Sequence, residues 1–148
     1  MSADVSIKFH GMRDLDRAIQ RLPEELQKRA YRSVISTGAR VIAKNAKKRI
    51  KNDSGLLKKS IDIKVPRKNT RVAIIGTRRG VGAVVNGRQK WAVNYAKNVE
   101  FGTSNTQAQP FLRPAIDSSA SEVLQKMTAG LSRFLTRAAA SVKRGGRK

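Results

Sequence analysis

Apolar positions along this chain recur with two periods, and the switches between them mark its elements. Val5, Ile7 and Phe9 alternate with Ser6 and Lys8, the period-two mark of a half-buried strand that Gly11 ends. Met12, Leu15, Ile19 and Leu22 then recur at helical spacing. They predict a short helix that stops at Leu22-Pro23, because a residue before proline avoids the helical region. Pro23-Glu24-Glu25 opens a second helix, with a preset φ and two acids where the macrodipole favours them. Leu26, Ala30, Val34, Gly38, Val41, Ile42 and Ala46 form its apolar face, and Lys28, Arg29, Arg32, Arg40, Lys44, Lys47 and Lys48 its basic one. Asn52 to Gly55 reads as a turn, with Asp53 or Ser54 capping a short helical piece from Leu56 to Lys59.

Ile61, Ile63 and Val65 alternate with Asp62 and Lys64 and predict a second strand. The polar turn Pro66 to Thr70 connects it to Val72-Ala73-Ile74-Ile75, its hairpin partner, whose unbroken apolar run predicts a central position covered on both faces. Thr77 to Lys90 reads as a basic glycine-rich loop or β-excursion, with Val84-Val85 as a short strand and Trp91-Ala92-Val93 as another. Tyr95 to Phe101 reads as one helical turn, with Gly102 where a helix end favours a left-handed residue. From Pro114, the residues Ile116, Ala120, Val123, Leu124, Met127, Leu131, Phe134, Leu135 and Ala138 keep helical spacing and predict the longest helix. The pattern predicts the α+β class: one domain over 1–142, a small antiparallel or mixed sheet packed against two long amphipathic helices. Residues 77–90 are its basic loop and 143–148 a disordered basic tail.

Composition adds little to this picture, and charge changes it. The chain has 148 residues, enough to bury a core of its own, and 39% of them are hydrophobic, although aromatics make up only 5%. Without cysteine there is no disulfide framework and no thiolate chemistry, in keeping with folding in a reducing cytoplasm. No apolar run approaches the ~18 residues of a membrane span. The first residues, Met-Ser-Ala-Asp-Val, lack the basic-then-apolar order of a signal peptide, so a soluble protein without membrane contacts is expected. The net charge is +22, from 32 basic residues against 10 acids. Such an excess repels other copies of the chain unless a polyanion or an acidic protein answers it.

Catalysis needs a poised constellation, and none can be assembled. His10 is the single histidine, and no group of acids has the clustering of a two-metal site. Asp14 and Asp16 share a short helix with arginines that they can offset, and Asp62 reads as half of a cross-strand ion pair. Gly80-Val81-Gly82 resembles a phosphate loop only in part, since Val85 stands where the third glycine belongs. The expectation is a protein that is not an enzyme and takes no cofactor or metal. A free, non-specific nucleic-acid-binding protein is one function compatible with the charge. However, Tyr31, Trp91 and Tyr95 are too scattered to form a base-stacking platform.

Tyr95 to Ala115 is the stretch around which the chain is organised. Phe111 and Leu112, ahead of a helix with Pro114 in its first turn, can pack back like a hydrophobic staple. The residues Tyr95-Ala96, Glu100-Phe101-Gly102-Thr103 and Gln109-Pro110-Phe111-Leu112-Arg113-Pro114-Ala115 resemble the signature of the tail-completion (neck) family of long-tailed bacteriophages. Upstream, Gly55-Leu56-Leu57-Lys58-Lys59-Ser60-Ile61 resembles the family's Gly-x-Leu-x-x-Ser-Ile run.

The resemblance implies a structural virion protein, made in the host cytoplasm, that forms a ring of its own copies at the head–tail junction. Its partners would be the tail terminator or tail tube protein on one side and head connector proteins on the other. The assembly contacts would fall at Tyr95, Glu100, Phe101, Gly102, Thr103, Phe111 and Arg113, with Glu100 and Arg113 paired across the linker. The charge suggests that Arg78, Arg79, Arg88, Lys90, Lys143, Arg144, Arg147 and Lys148 face genome DNA in the lumen or an acidic neighbour.

Overall fold

The computed structural model describes residues 11–51, 55–78, 80–85 and 87–145. The strand expected at Val5 to Phe9, His10 and the capping candidates Asp53 and Ser54 lie outside them. In chain order the described elements are α1 (Met12–Gln20), α2 (Glu24–Arg49), α3 (Leu56–Ser60), β1 (Ile61–Lys64), β2 (Ile74–Thr77), β3 (Gly82–Val85), β4 (Arg88–Trp91), α4 (Ala92–Phe101), α5 (Leu112–Ser118) and α6 (Ala120–Gly145). Short antiparallel strands set against two long helices make this an α+β protein, as the apolar pattern predicts.

The 26-residue α2 is the axis of the fold. It begins where proline and the paired acids place it, with the Pro23 carbonyl accepting the amides of Leu26 and Gln27 at 2.9 and 3.2 Å. The Gln27 side chain reaches back to the Leu22 carbonyl at 2.9 Å, tying the start of α2 to the end of α1. Helix α6 runs antiparallel along α2: Asn45 bonds Ser119 ahead of α6, whereas Thr37 faces Gly130 farther along. A Cβ at Gly38 would lie 2.7 Å from Met127 Sδ and 3.2 Å from Val123 Cγ1, so the missing side chain sets how closely the helices approach.

The buried apolar residues form two clusters along α2. Leu15 and Ile19 from α1, Val34 and Ile42 from α2, and Val123 and Met127 from α6 fill the first. Ala46 and Ile50, with Leu57, Ile61, Phe111 and Ala115, fill the second. Fully buried side chains such as Ile19, Val34 and Val123 each contribute about 1.5–3 kcal/mol by leaving water.

Strand β1 pairs antiparallel with β2, from Ile61↔Thr77 to Lys64↔Ile74. The hairpin is as expected, but its second strand is Ile74–Thr77 rather than Val72 to Ile75, and its connection runs from Val65 to Ala73. Contacts with α2 explain the shift. The Arg32 guanidinium donates to the Val65 carbonyl at 3.4 Å, and the Arg71 guanidinium lies 4.7 Å from the Tyr31 ring centre. The connection is thereby drawn over the helix before β2 starts. Nor is β2 central: among the described residues its sheet has two strands, and Ile74 is 55% exposed.

Strands β3 and β4 form a separate hairpin, Gly82↔Trp91 to Val85↔Arg88, that turns at Gly87 with φ 72°. The basic segment is therefore a β-excursion. Trp91 ends this hairpin, and Ala92 and Val93 open α4 instead of extending a strand. Helix α4 spans ten residues rather than the single turn expected from Tyr95.

The helix expected to run unbroken from Pro114 is interrupted at Ser119. The fully buried Ser119 hydroxyl donates to the Ala115 carbonyl at 2.5 Å and accepts from the Asn45 amide at 2.7 Å. Such a back-bond competes with the regular helical ladder and bends it. After the break α6 matches α2 at 26 residues and includes Lys143, Arg144 and Gly145, the first residues of the basic tail expected from 143 to 148.

A rigid corner and the cationic surfaces

The stretch of apolar anchors around residues 95–115 becomes, in three dimensions, a corner between α4 and α5. Gly102 ends α4 with φ 75° and ψ −179°, and its amide donates to the Asn98 carbonyl at 2.8 Å. A Cβ there would lie 2.9 Å from both the Ala108 nitrogen and the Thr106 oxygen. Both the positive φ and the close approach of backbone demand glycine. Thr103 and Thr106 then bond each other's main chains at 2.9 and 3.3 Å, closing a tight loop. The Gln109 amide returns to the Val99 carbonyl at 2.7 Å. The polar linker is thus folded back against its own helix.

Glu100 completes the corner. Its Oε2 accepts the amides of Phe111 and Leu112 at 2.8 and 3.0 Å, and its Oε1 accepts that of Arg113 at 3.1 Å. These donors lie at the start of α5, where no helical partner exists for them. The expected pairing of Glu100 with Arg113 is therefore a main-chain one, and the two side chains form no ion pair. Converging amides of a helix start satisfy the carboxylate's lone pairs without ordering a long side chain, and the guanidinium is left exposed.

The expected contact residues divide accordingly. Phe111 is buried, at 6% exposure, and anchors the corner from inside, while half-buried Tyr95 packs against the same cluster. Phe101 is 67% exposed, and Thr103 and Arg113 are exposed as well.

Among the described residues, the cations expected to face a partner fall after β2 (Arg78), on β4 (Arg88 and Lys90) and at the end of α6 (Lys143 and Arg144). The Arg78 guanidinium is engaged with the Asp62 carboxylate, Nη2 at 2.8 Å and Nε at 3.2 Å. This is the cross-strand ion pair expected of Asp62, and it holds the carboxyl below the ordinary aspartate value, helped by the Ile63 amide. Both side chains are exposed, so water screens much of the attraction. Arg88 is exposed on β4, which also carries Lys90. Lys143 and Arg144 belong to the last turn of α6. Arg79, Arg147 and Lys148 lie outside the described residues.

A second cationic surface was not recognised from sequence. Arg40, Lys44, Lys47 and Lys48 of α2, together with Lys58, rim a cleft of ≈ 590 Å³ above Ala43, Ile61 and Ile63. The basic stripe of α2 was its sequence signal. That β1 would lie beside the stripe and supply an apolar floor depends on the tertiary fold. Among the described residues, no group of His, Asp and Glu could hold a metal ion, and no helix is long and apolar enough to cross a membrane.

A rigid exposed corner combined with charged faces suits a subunit that meets other macromolecules. Residues 13–102 match the family described as "Bacteriophage HK97-gp10, putative tail-component", and the chain belongs to that family of phage tail components. The match runs from α1 to Gly102, so Glu100 lies inside it and the α5 amides that Glu100 binds lie beyond it. No curated protein and no solved structure matches the chain significantly.

Proposed function

We propose that this tail component is a neck, or tail-completion, subunit. In this reading its copies form a ring at the head–tail junction, meeting the tail terminator or tail tube protein on one side and head connector proteins on the other. The role is structural, without catalysis. The observation that best supports it is the Glu100-locked corner, which presents Phe101, 67% exposed, beside exposed Thr103 and Arg113 on a cross-braced backbone. A ring needs one patch to fit a different patch on the next copy, and a preorganised aromatic loses little entropy on docking. Tyr95 and Phe111 support that surface from within.

The cationic residues Arg78, Arg79, Arg88 and Lys90, with Lys143, Arg144, Arg147 and Lys148, meet genome DNA in the lumen or an acidic neighbouring ring. Net charge alone favours a second reading, a free non-specific nucleic-acid-binding protein. Antibody labelling of purified particles separates the two. Label at the neck, with unjoined heads and tails accumulating when the gene is silenced, is the expected result. Absence of the chain from complete particles, or label spread along the tail tube, would overturn the proposal.

A further inference from the structure

The cleft between α2 and β1 has a charged rim over Ala43 and Ile61, which are buried in the cluster that also holds Phe111, and over half-buried Ile63. Arg40, Lys44, Lys47 and Lys48 recur at helical spacing on one face of α2, and Ala43 on the same face continues into Ile61 and Ile63 of β1. The rim's carboxylate, Asp62, is already engaged by Arg78. Among the described residues, no ion pair or hydrogen bond engages Arg40, Lys44 or Lys48, whereas Lys47 lies near enough to Asp62 for its charge to help lower that carboxyl's pKa. The helix dipole favours Lys47 and Lys48 in the last turn, but Arg40 and Lys44 sit above it, where like charges at i, i+4 weaken a helix.

We propose that this cleft docks an acidic polypeptide segment of another protein, with carboxylates on the lysine rim and an aliphatic side chain against half-buried Ile63. Its volume, ≈ 590 Å³, falls within the ~300–1,000 Å³ typical of ligand clefts. The floor decides between polyanions. A DNA duplex presents phosphates on a stiff convex surface and would touch the rim alone, without entering the cleft to meet half-buried Ile63. A flexible acidic chain can satisfy both parts at once. Charge would speed the encounter and the buried aliphatic anchor would slow the release. The proposal concerns a surface separate from the corner and does not depend on the protein's position in the tail.

The test uses the full-length chain and fluorescence anisotropy with three labelled probes: a short peptide of alternating acidic and aliphatic residues, the same peptide with serine for its aliphatic residues, and a DNA duplex. Lys44→Glu with Lys47→Glu reverses the rim. Arg133→Glu with Arg137→Glu makes the same charge change on exposed positions of α6. Circular dichroism checks that both variants fold. The acidic–aliphatic peptide should bind the parent and the α6 variant within about twofold of each other, and the rim variant at least about tenfold more weakly. The serine peptide should bind the parent several-fold more weakly than its aliphatic counterpart.

Equal binding of the two peptides would mean that the floor contributes nothing, and would overturn the proposal. So would equal weakening by both charge reversals, which is the signature of non-specific attraction. Failure of the acidic–aliphatic peptide to bind the parent would also overturn it. If the duplex lost affinity selectively on rim reversal and displaced the peptide, the cleft would be a phosphate contact instead. None of these results bears on whether Phe101 makes ring contacts, so the two proposals fail independently.

Discussion

The Glu100 carboxylate accepts the main-chain amide of Phe111 at 2.8 Å, joining the last turn of α4 to the start of α5 across an exposed polar linker. The same carboxylate holds the amides of Leu112 and Arg113, so one side chain satisfies a whole helix start. Glu100→Ala would leave those donors without an acceptor and should lower stability by about 1–3 kcal/mol. Glu100→Gln, which keeps an acceptor oxygen but loses the charge, should cost less. Urea unfolding gives the size. Faster hydrogen exchange at the Phe111 and Leu112 amides in both variants would locate the effect, and unchanged exchange there would refute the bracing role.

Phe101 stands beside this brace without belonging to it, so its loss should separate assembly from folding. Phe101→Ser removes a 67%-exposed side chain and should shift stability by no more than about 0.5 kcal/mol. Arg113→Glu changes an exposed side chain whose main-chain amide, not its guanidinium, meets Glu100. Both variants should therefore fold normally yet be depleted from virions in a complementation assay. Normal incorporation of both would remove the corner from the assembly interface.

Gly38 sits where α6 side chains pack tightly against α2, so the size of its replacement should decide the outcome. Gly38→Ala gains helix propensity, worth about 1 kcal/mol, against a crowded Met127 side chain that is unbranched and able to move. The net change should stay within about 1 kcal/mol of the parent. Gly38→Val adds branches that also meet Val123, and should destabilise by about 1–3 kcal/mol. Met127→Ala introduced beside Gly38→Val should recover part of that loss in a double-mutant cycle. Additive losses would mean that the contact does not set the helix spacing.

Local chemistry made the helix starts and the glycines legible. Pro23-Glu24-Glu25 begins α2 as expected, and Gly102 takes its positive φ at the end of α4. What sequence pattern could not show was decided by partners far along the chain. The apolar spacing Ile116–Ala120–Val123 continues smoothly across Ser119, but Asn45 supplies a buried amide there and the helix breaks. Val72-Ala73 looks like strand, yet Arg71 is held over Tyr31 and pairing starts only at Ile74. In the corner, opposite charges predict a pairing of the Glu100 and Arg113 side chains, but Glu100 takes the Arg113 main-chain amide instead. The mode of contact was missed because main-chain donors leave no mark in side-chain charge.

Tyr31 offers a titration that tests how α1 is fastened to α2. Its hydroxyl donates to Asp16 Oδ1 at 2.5 Å. Burial raises its pKa from the ordinary 10.0, and the hydrogen bond to Asp16 and the negative charge of Asp16 raise it further, against a smaller opposing effect of Arg71. The folded value lies above the unfolded one, so the contribution to stability is complete below pH ~10 and is lost as pH rises through the folded value. In a Tyr95→Phe background, Tyr31 titrates as the sole tyrosine, and ultraviolet absorbance should place its midpoint above 10.0. Asp16→Asn removes the charge and should move that midpoint down. Its stability should also fall less between neutral and alkaline pH than the parent's, a comparison in which the many lysines largely cancel. An unmoved midpoint in Asp16→Asn would mean that Asp16 does not hold the Tyr31 proton, and that the apolar packing of Leu15 and Ile19 secures α1 without it.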